Sequence, residues 1–134
     1  MKKCIIFLLI LICVLNGCTA NGSWKPQYGY ERVSEIKLVE MADEKEYTIV
    51  KEIDISCAVA LFSDIDKLSW KYYGTNLATP RGVCFLIVYD NGEYDVISYH
   101  EPKHYQFEEG ELRAKNSWLC CAQQDFQDLV EKYR

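Results

Sequence analysis

From Val33 onward the chain alternates apolar and polar positions in short stretches, a pattern of strands interrupted by two helical segments. Within Val33–Met41, Ile36 and Leu38 flank Lys37, which predicts a half-buried strand, and residues 42–44 make a turn. Tyr47–Ile53 (YTIVKEI) is β-branched and partly alternating, a second strand. Ser56 is placed to cap a helix over residues 57–68, where Leu61, Ile65 and Leu68 recur at helical spacing. Residues 72–81 carry Gly74, Asn76 and Pro80 and read as a loop with a short strand before it. The densest β signal is residues 83–89 (VCFLIVY), followed by Asp90-Asn91-Gly92 and a further strand over residues 94–99. Asn91-Gly92 suits a two-residue type I′ hairpin, whose central positions both need φ > 0. Residues 104–107 and 112–114, around Glu109-Gly110, form a more polar hairpin, and residues 118–121 a last short strand. Residues 125–133 then place Phe126, Leu129, Val130 and Tyr133 at i, i+3, i+4 and i+7, an amphipathic helix. The expected architecture is α+β: an antiparallel sheet of about five or six strands with two helices packed on one face.

The first seventeen residues are a different material. Lys2 and Lys3 precede an uncharged apolar run, residues 4–15 (CIIFLLILICVL), and then Asn16-Gly17-Cys18. A basic start, a short apolar stretch and a small-residue exit make a secretory signal peptide, too short to span a bilayer comfortably. The exit Leu15-Asn16-Gly17-Cys18 resembles the lipobox of bacterial lipoproteins. That resemblance implies cleavage before Cys18, a diacylglycerol on its sulfur, and a cell-envelope protein held to a membrane by lipid outside the cytoplasm. It covers only residues 1–18 and carries nothing about the domain behind them. Ordinary cleavage after Ala20 is the alternative, since Cys18-Thr19-Ala20 approximates a small-x-small site. The domain plan is a signal over residues 1–17, a tether over 18–32 that docks Trp24 or Tyr30, and one domain over 33–134.

Composition changes the picture in one respect. The 134 residues carry 15 Lys+Arg against 20 Asp+Glu, a net charge of -5. Loss of the signal would leave 117 residues and, without Lys2 and Lys3, a net charge of -7. An acidic chain of this kind lacks the basic face that nucleic-acid binding needs. No cofactor is implied.

Candidate chemistry is thin. His100-Glu101-Pro102-Lys103-His104 fits H-E-x-x-H, in which two imidazoles one helical turn apart bind zinc and the Glu activates water. Pro102 at its centre and β-forming residues on both sides argue against the helix that this geometry requires. His100 and His104 are therefore weak metal candidates, and a zinc-dependent hydrolase is an unfavoured alternative. Cys57, Cys84, Cys120 and Cys121 read either as buried thiols or as a source of one bridge joining Cys57 or Cys84 to one of the vicinal pair. No nucleophile motif, phosphate loop or catalytic residue stands out, so the sequence leans away from an enzyme. Trp70, Tyr72, Tyr73, Tyr99 and Tyr105 are the candidate binding surface, because Tyr and Trp concentrate at the centres of interfaces. The expectation is a non-catalytic protein-interaction module of inhibitor or immunity type, its acidity favouring a basic partner, or else an accessory subunit of an envelope complex.

Overall fold

The computed structural model describes residues 21–43, 46–73 and 81–134. The signal, Cys18 and most of the expected 72–81 loop lie outside these residues. The chain is α+β, as its pattern predicts. A six-stranded antiparallel sheet is built from β1 (Val33–Met41), β2 (Tyr47–Ile53), β4 (Gly82–Tyr89), β5 (Tyr94–Ile97), β6 (Lys103–Glu108) and β7 (Glu111–Asn116), in the order β2-β1-β4-β5-β6-β7. A separate ribbon pairs β3 (Lys71–Tyr72) with β8 (Leu119–Cys120), so the last strand does not join the main sheet. Among the described residues there are two α-helices, α1 (Ala58–Asp66) and α2 (Gln123–Tyr133).

The helices cover one face. Leu61 and Ile65 of α1 and Phe126, Leu129 and Val130 of α2 meet Ile36, Leu38, Phe85, Ile87 and Ile97 of the sheet in one buried cluster. The helix ends also bond to each other: Lys132 Nζ and Tyr133 Oη of α2 donate to Asp64 of α1, both at 2.7 Å. Residues 21–32 pack with the domain. Of the two aromatics considered for docking, Trp24 is the buried one and Tyr30 is exposed. The segment is fixed further by Gln27, whose amide reaches Asp95 and the backbone of Tyr94.

Two local expectations are corrected. Ser56 does not cap α1, whose N-cap position is Cys57 with no side-chain cap; Asp54 instead caps the 3-10 turn before it. The Asp54 carboxylate accepts from Ser56 N at 2.8 Å, and a 3-10 turn over Ile55–Cys57 leads into the helix. The Asp90-Asn91-Gly92 turn is not type I′, because only Gly92 has positive φ (84°). Gly92 N closes onto Tyr89 O and Tyr89 N onto Glu93 O, the pattern of a longer hairpin loop with one left-handed glycine. The two-residue turn with both residues left-handed lies instead at Glu109-Gly110 (φ 52° and 80°). Of the two readings left open for the cysteines, the unbridged one holds: Cys57, Cys84, Cys120 and Cys121 are all free thiols. Cys84 belongs to the cluster on one face of the sheet, whereas Cys57 and Cys121 pack on the other. The sheet itself separates Cys84 from these thiols.

If residues 21–32 belong to the fold, Trp24→Ala should cost about 3–5 kcal/mol, as for other large-to-small core substitutions. Tyr30→Ala, at an exposed site, should stay within about 0.5 kcal/mol. Urea unfolding of the two variants measures both.

Candidate functional site

The second face of the sheet is the candidate site. Strand β4 is apolar at every position from Val83 to Tyr89, so it presents Phe85 and Ile87 to the helices and Cys84 and Leu86 to the opposite side. There Val39, Met41, Cys84, Leu86, Val96 and Tyr105 form a second buried cluster against which Val88 and Tyr94 pack. Among the described residues no helix lies on this face.

Curvature explains how these residues are covered. Met41, Tyr47, Leu86, Tyr94, Val96, Tyr105, Leu112 and Ala114 line one cavity of about 390 Å³, with contributions from all six strands. In a flat sheet Tyr47 on β2 and Leu112 on β7 would stand five strand spacings apart, about 24 Å. A shared cavity therefore requires the sheet to curl towards this side. Register shifts in β1–β2, at Leu38/Val39, and in β1–β4, at Val33/Glu35, are the irregularities that add twist and bend.

The first shift also decides which residues line the cavity. Leu38 pairs with Lys51 but Val39 pairs with Ile49, so Val50 is the extra residue. That one insertion brings Tyr47 and Ile49 onto the concave side, opposite Met41 and Val39. At the other edge Phe107 pairs with Leu112, and Tyr105 with Ala114. Tyr47, Ile49, Phe107 and Leu112 are all exposed, and Tyr94 and Tyr105 stack between them with ring centroids 4.6 Å apart. The result is an apolar groove with a buried floor and exposed aromatic and aliphatic rims.

Two groups of buried carboxylates flank the core. Asp95 is fully buried and accepts from Gln27 Nε2 (2.7 Å), Gln27 N (3.2 Å), Tyr89 Oη (2.6 Å) and His104 Nδ1 (2.6 Å). Burial, with the Asp95 charge beside it, pushes the Tyr89 hydroxyl well above its usual range. Glu93 accepts from Tyr28 Oη at 2.5 Å and from Phe107 N at 3.0 Å. The Tyr28 hydrogen bond holds the Glu93 carboxyl below its ordinary range. Glu101, also fully buried and at φ 61°, accepts from Tyr73 Oη and from Trp118 N at 3.2 Å. These carboxylates are occupied by donors, which suits struts better than proton-transfer groups.

The structure scatters the residues that the sequence suggested. His100 to His104 is not helical: His100 is bridged to Cys120, Glu101 is left-handed, and His104 lies within β6. His100 stacks on Tyr73 at 4.7 Å while His104 bonds Asp95, so the two imidazoles do not share one helical face. No group of three metal-ligating side chains occurs among the described residues. Trp70 is buried, its indole donating to Ile65 O at 2.8 Å, and Tyr105 is buried in the groove floor. Tyr99 packs half-buried on the helix side, and Tyr73 is half-buried beside Glu101. Only Tyr72 of the five is exposed. The proposed aromatic surface is thus not one patch, and only Tyr105 contributes to the groove.

The fold and this groove define an α+β protein whose helices leave one apolar sheet face to be covered by curvature. No protein-family model, curated protein or solved structure matches the chain.

The Tyr28–Glu93 bond carries a pH signature. Because the folded carboxyl titrates below the ordinary glutamate value of 4.5, its stabilisation is present above that value and is lost as pH falls through the lowered one. Tyr28→Phe should therefore be less stable than wild type near pH 7, with the gap narrowing below about pH 4.5. Denaturant midpoints between pH 3 and pH 7 measure the gap.

Proposed function

We propose that this chain is a membrane-anchored lipoprotein of the bacterial cell envelope, acylated on Cys18, whose domain acts outside the cytoplasm as a non-catalytic protein-interaction module. The observation that carries the interaction reading is the concave groove. Its floor is buried but its rims, Tyr47, Ile49, Phe107 and Leu112, stay exposed on both edges of the sheet. Small-molecule pockets bury most of their ligand. A trough open along its rims instead suits an apolar segment of a protein, with tyrosines as rigid anchors of low entropic cost. The net charge of -7 after signal removal favours a basic partner by speeding encounter. This is the behaviour of an inhibitor or immunity-type protein. The lipid anchor rests on the Leu15-Asn16-Gly17-Cys18 exit, and among the described residues no helix is long and apolar enough to cross a membrane.

Two experiments address the two halves of this reading. A photo-crosslinking amino acid at Tyr47 or Leu112, in cells, should yield a covalent adduct with a protein partner, whereas the same probe at Gln127 on α2 should not. Absence of adducts from the groove positions, or equal adducts from all three, contradicts the groove as the binding surface. For the anchor, Cys18→Ser should remove the acyl mass and release the domain from membranes; an unchanged membrane fraction contradicts it.

A further inference from the structure

The domain meets its N-terminal segment at the β3–β8 ribbon. Asn21 bridges to Lys71 of β3, and Gly22 N donates to Trp70 O at 3.0 Å. Gly22 is pressed so closely that a Cβ there would stand 2.5 Å from the Leu119 side chain and 2.8 Å from the Tyr72 ring. A side chain at Gly22 would have to displace Leu119 or Tyr72, so the backbone here lies tightly against the ribbon. Two residues, Thr19 and Ala20, separate Asn21 from Cys18, so three Cα–Cα steps span at most about 11 Å even when fully extended. An acyl group on Cys18 would therefore hold the ribbon close to the bilayer surface.

The exposed residues at this end suit that position. Tyr72 and Trp118 are 47% and 43% exposed, and both lie on the ribbon or at its edge. Trp24 and Trp70 are each 2% exposed, so Trp118 is the one solvent-facing tryptophan of the chain's three. Its backbone is left-handed (φ 60°), a costly conformation for a bulky residue. That conformation is held by the buried Glu101 carboxylate, which accepts from Trp118 N, and by Tyr73 N, which donates to Trp118 O at 3.1 Å.

Charge agrees with the aromatics. Residues 21–25, 67–73 and 117–124 carry Lys25, Lys67 and Lys71, all exposed, and are directly flanked by two exposed carboxylates, Asp66 and Asp125. Glu101 is nearby but fully buried. With three lysines against two exposed carboxylates, this aromatic end escapes the marked acidic excess of the chain as a whole. Tryptophan and tyrosine favour the headgroup level of a bilayer, and exposed lysines favour anionic lipid.

We propose that the β3–β8 end is the membrane-facing surface of this protein, with Trp118 and Tyr72 seated among the headgroups and Lys25, Lys67 and Lys71 against anionic lipid. The proposal rests on acylation of Cys18. It makes the anchor a two-part device, a lipid that retains the domain and an aromatic contact that sets its orientation. Glu101 is then a positioning residue for Trp118.

The test uses the full-length protein purified from bacterial membranes, with its acyl mass verified. It is reconstituted into phosphatidylcholine–phosphatidylglycerol vesicles with and without brominated acyl chains. Tryptophan emission should be quenched by the brominated lipid, and Trp118→Phe should lose that quenching while keeping the acyl mass and the membrane association. In a Trp118→Phe background, Tyr30→Trp places a tryptophan beside the Asp90–Gly92 turn, at the opposite end of β5, and should not be quenched. Acylated wild type that is quenched no more than Trp118→Phe, or a quenched Tyr30→Trp control, overturns the proposed orientation and leaves the lipidation reading intact. A membrane-derived chain without the acyl mass overturns the lipidation reading and this proposal with it.

Discussion

Strand β4 sets the problem that the rest of the structure solves. It is buried on both sides, with Phe85 and Ile87 facing the helices and Cys84 and Leu86 facing away. Burial of each large apolar side chain is worth about 1.5–3 kcal/mol, so neither face of such a strand is easily left wet. Two helices of nine and eleven residues can cover one face only. The other is hidden by curling the sheet over itself, through irregular register along β1 and the extra residue Val50 in β2. Curling cannot cover the edge strands as fully as the centre, and the exposed rim of Tyr47, Ile49, Phe107 and Leu112 follows from that. The groove is thus the unfilled remainder of the fold's own packing.

The polar interior has a complementary role. Asp95, Glu93 and Glu101 would each be costly to bury without partners, and each is supplied with donors from distant segments. For Asp95 and Glu93 those donors include Gln27 and Tyr28, which lie in the segment leading from the N-terminus. For Glu101 they are Tyr73 and Trp118, which tie the β3–β8 ribbon to the end of β5. Buried carboxylates therefore fasten both the entry of the chain and the ribbon on which it lies. This bonding turns a segment that could have been a loose tether into part of the domain.

Much of the fold was legible because its strands obey simple periodicity. Val33–Met41 and Tyr47–Ile53 match their expected bounds, and Phe126, Leu129 and Val130 bury as their spacing implies. Capping and turn chemistry were harder, since Asp54 and Ser56 are both good caps and both Asn91-Gly92 and Glu109-Gly110 can close a hairpin. The site was the least legible part. The run VCFLIVY already signals a strand buried on both faces, while the pattern offers helices for only one. The further step, that Val50 forms a bulge and moves Tyr47 and Ile49 across the sheet, depends on pairing with β1 and is invisible in local sequence. Aromatic residue type was a poor guide to exposure: Trp70 fills the core while Trp118, given no special weight, is the exposed tryptophan.

The central claim is that the face without helices is an accessible apolar groove. Methyl-resolved NMR of the protein titrated with 1-anilinonaphthalene-8-sulfonate tests it most directly. The account predicts shifts at Met41, Leu86, Val96 and Leu112, with Leu61, Ile65 and Leu129 on the helix side unchanged. Shifts spread over both faces, or confined to the helix side, would contradict it.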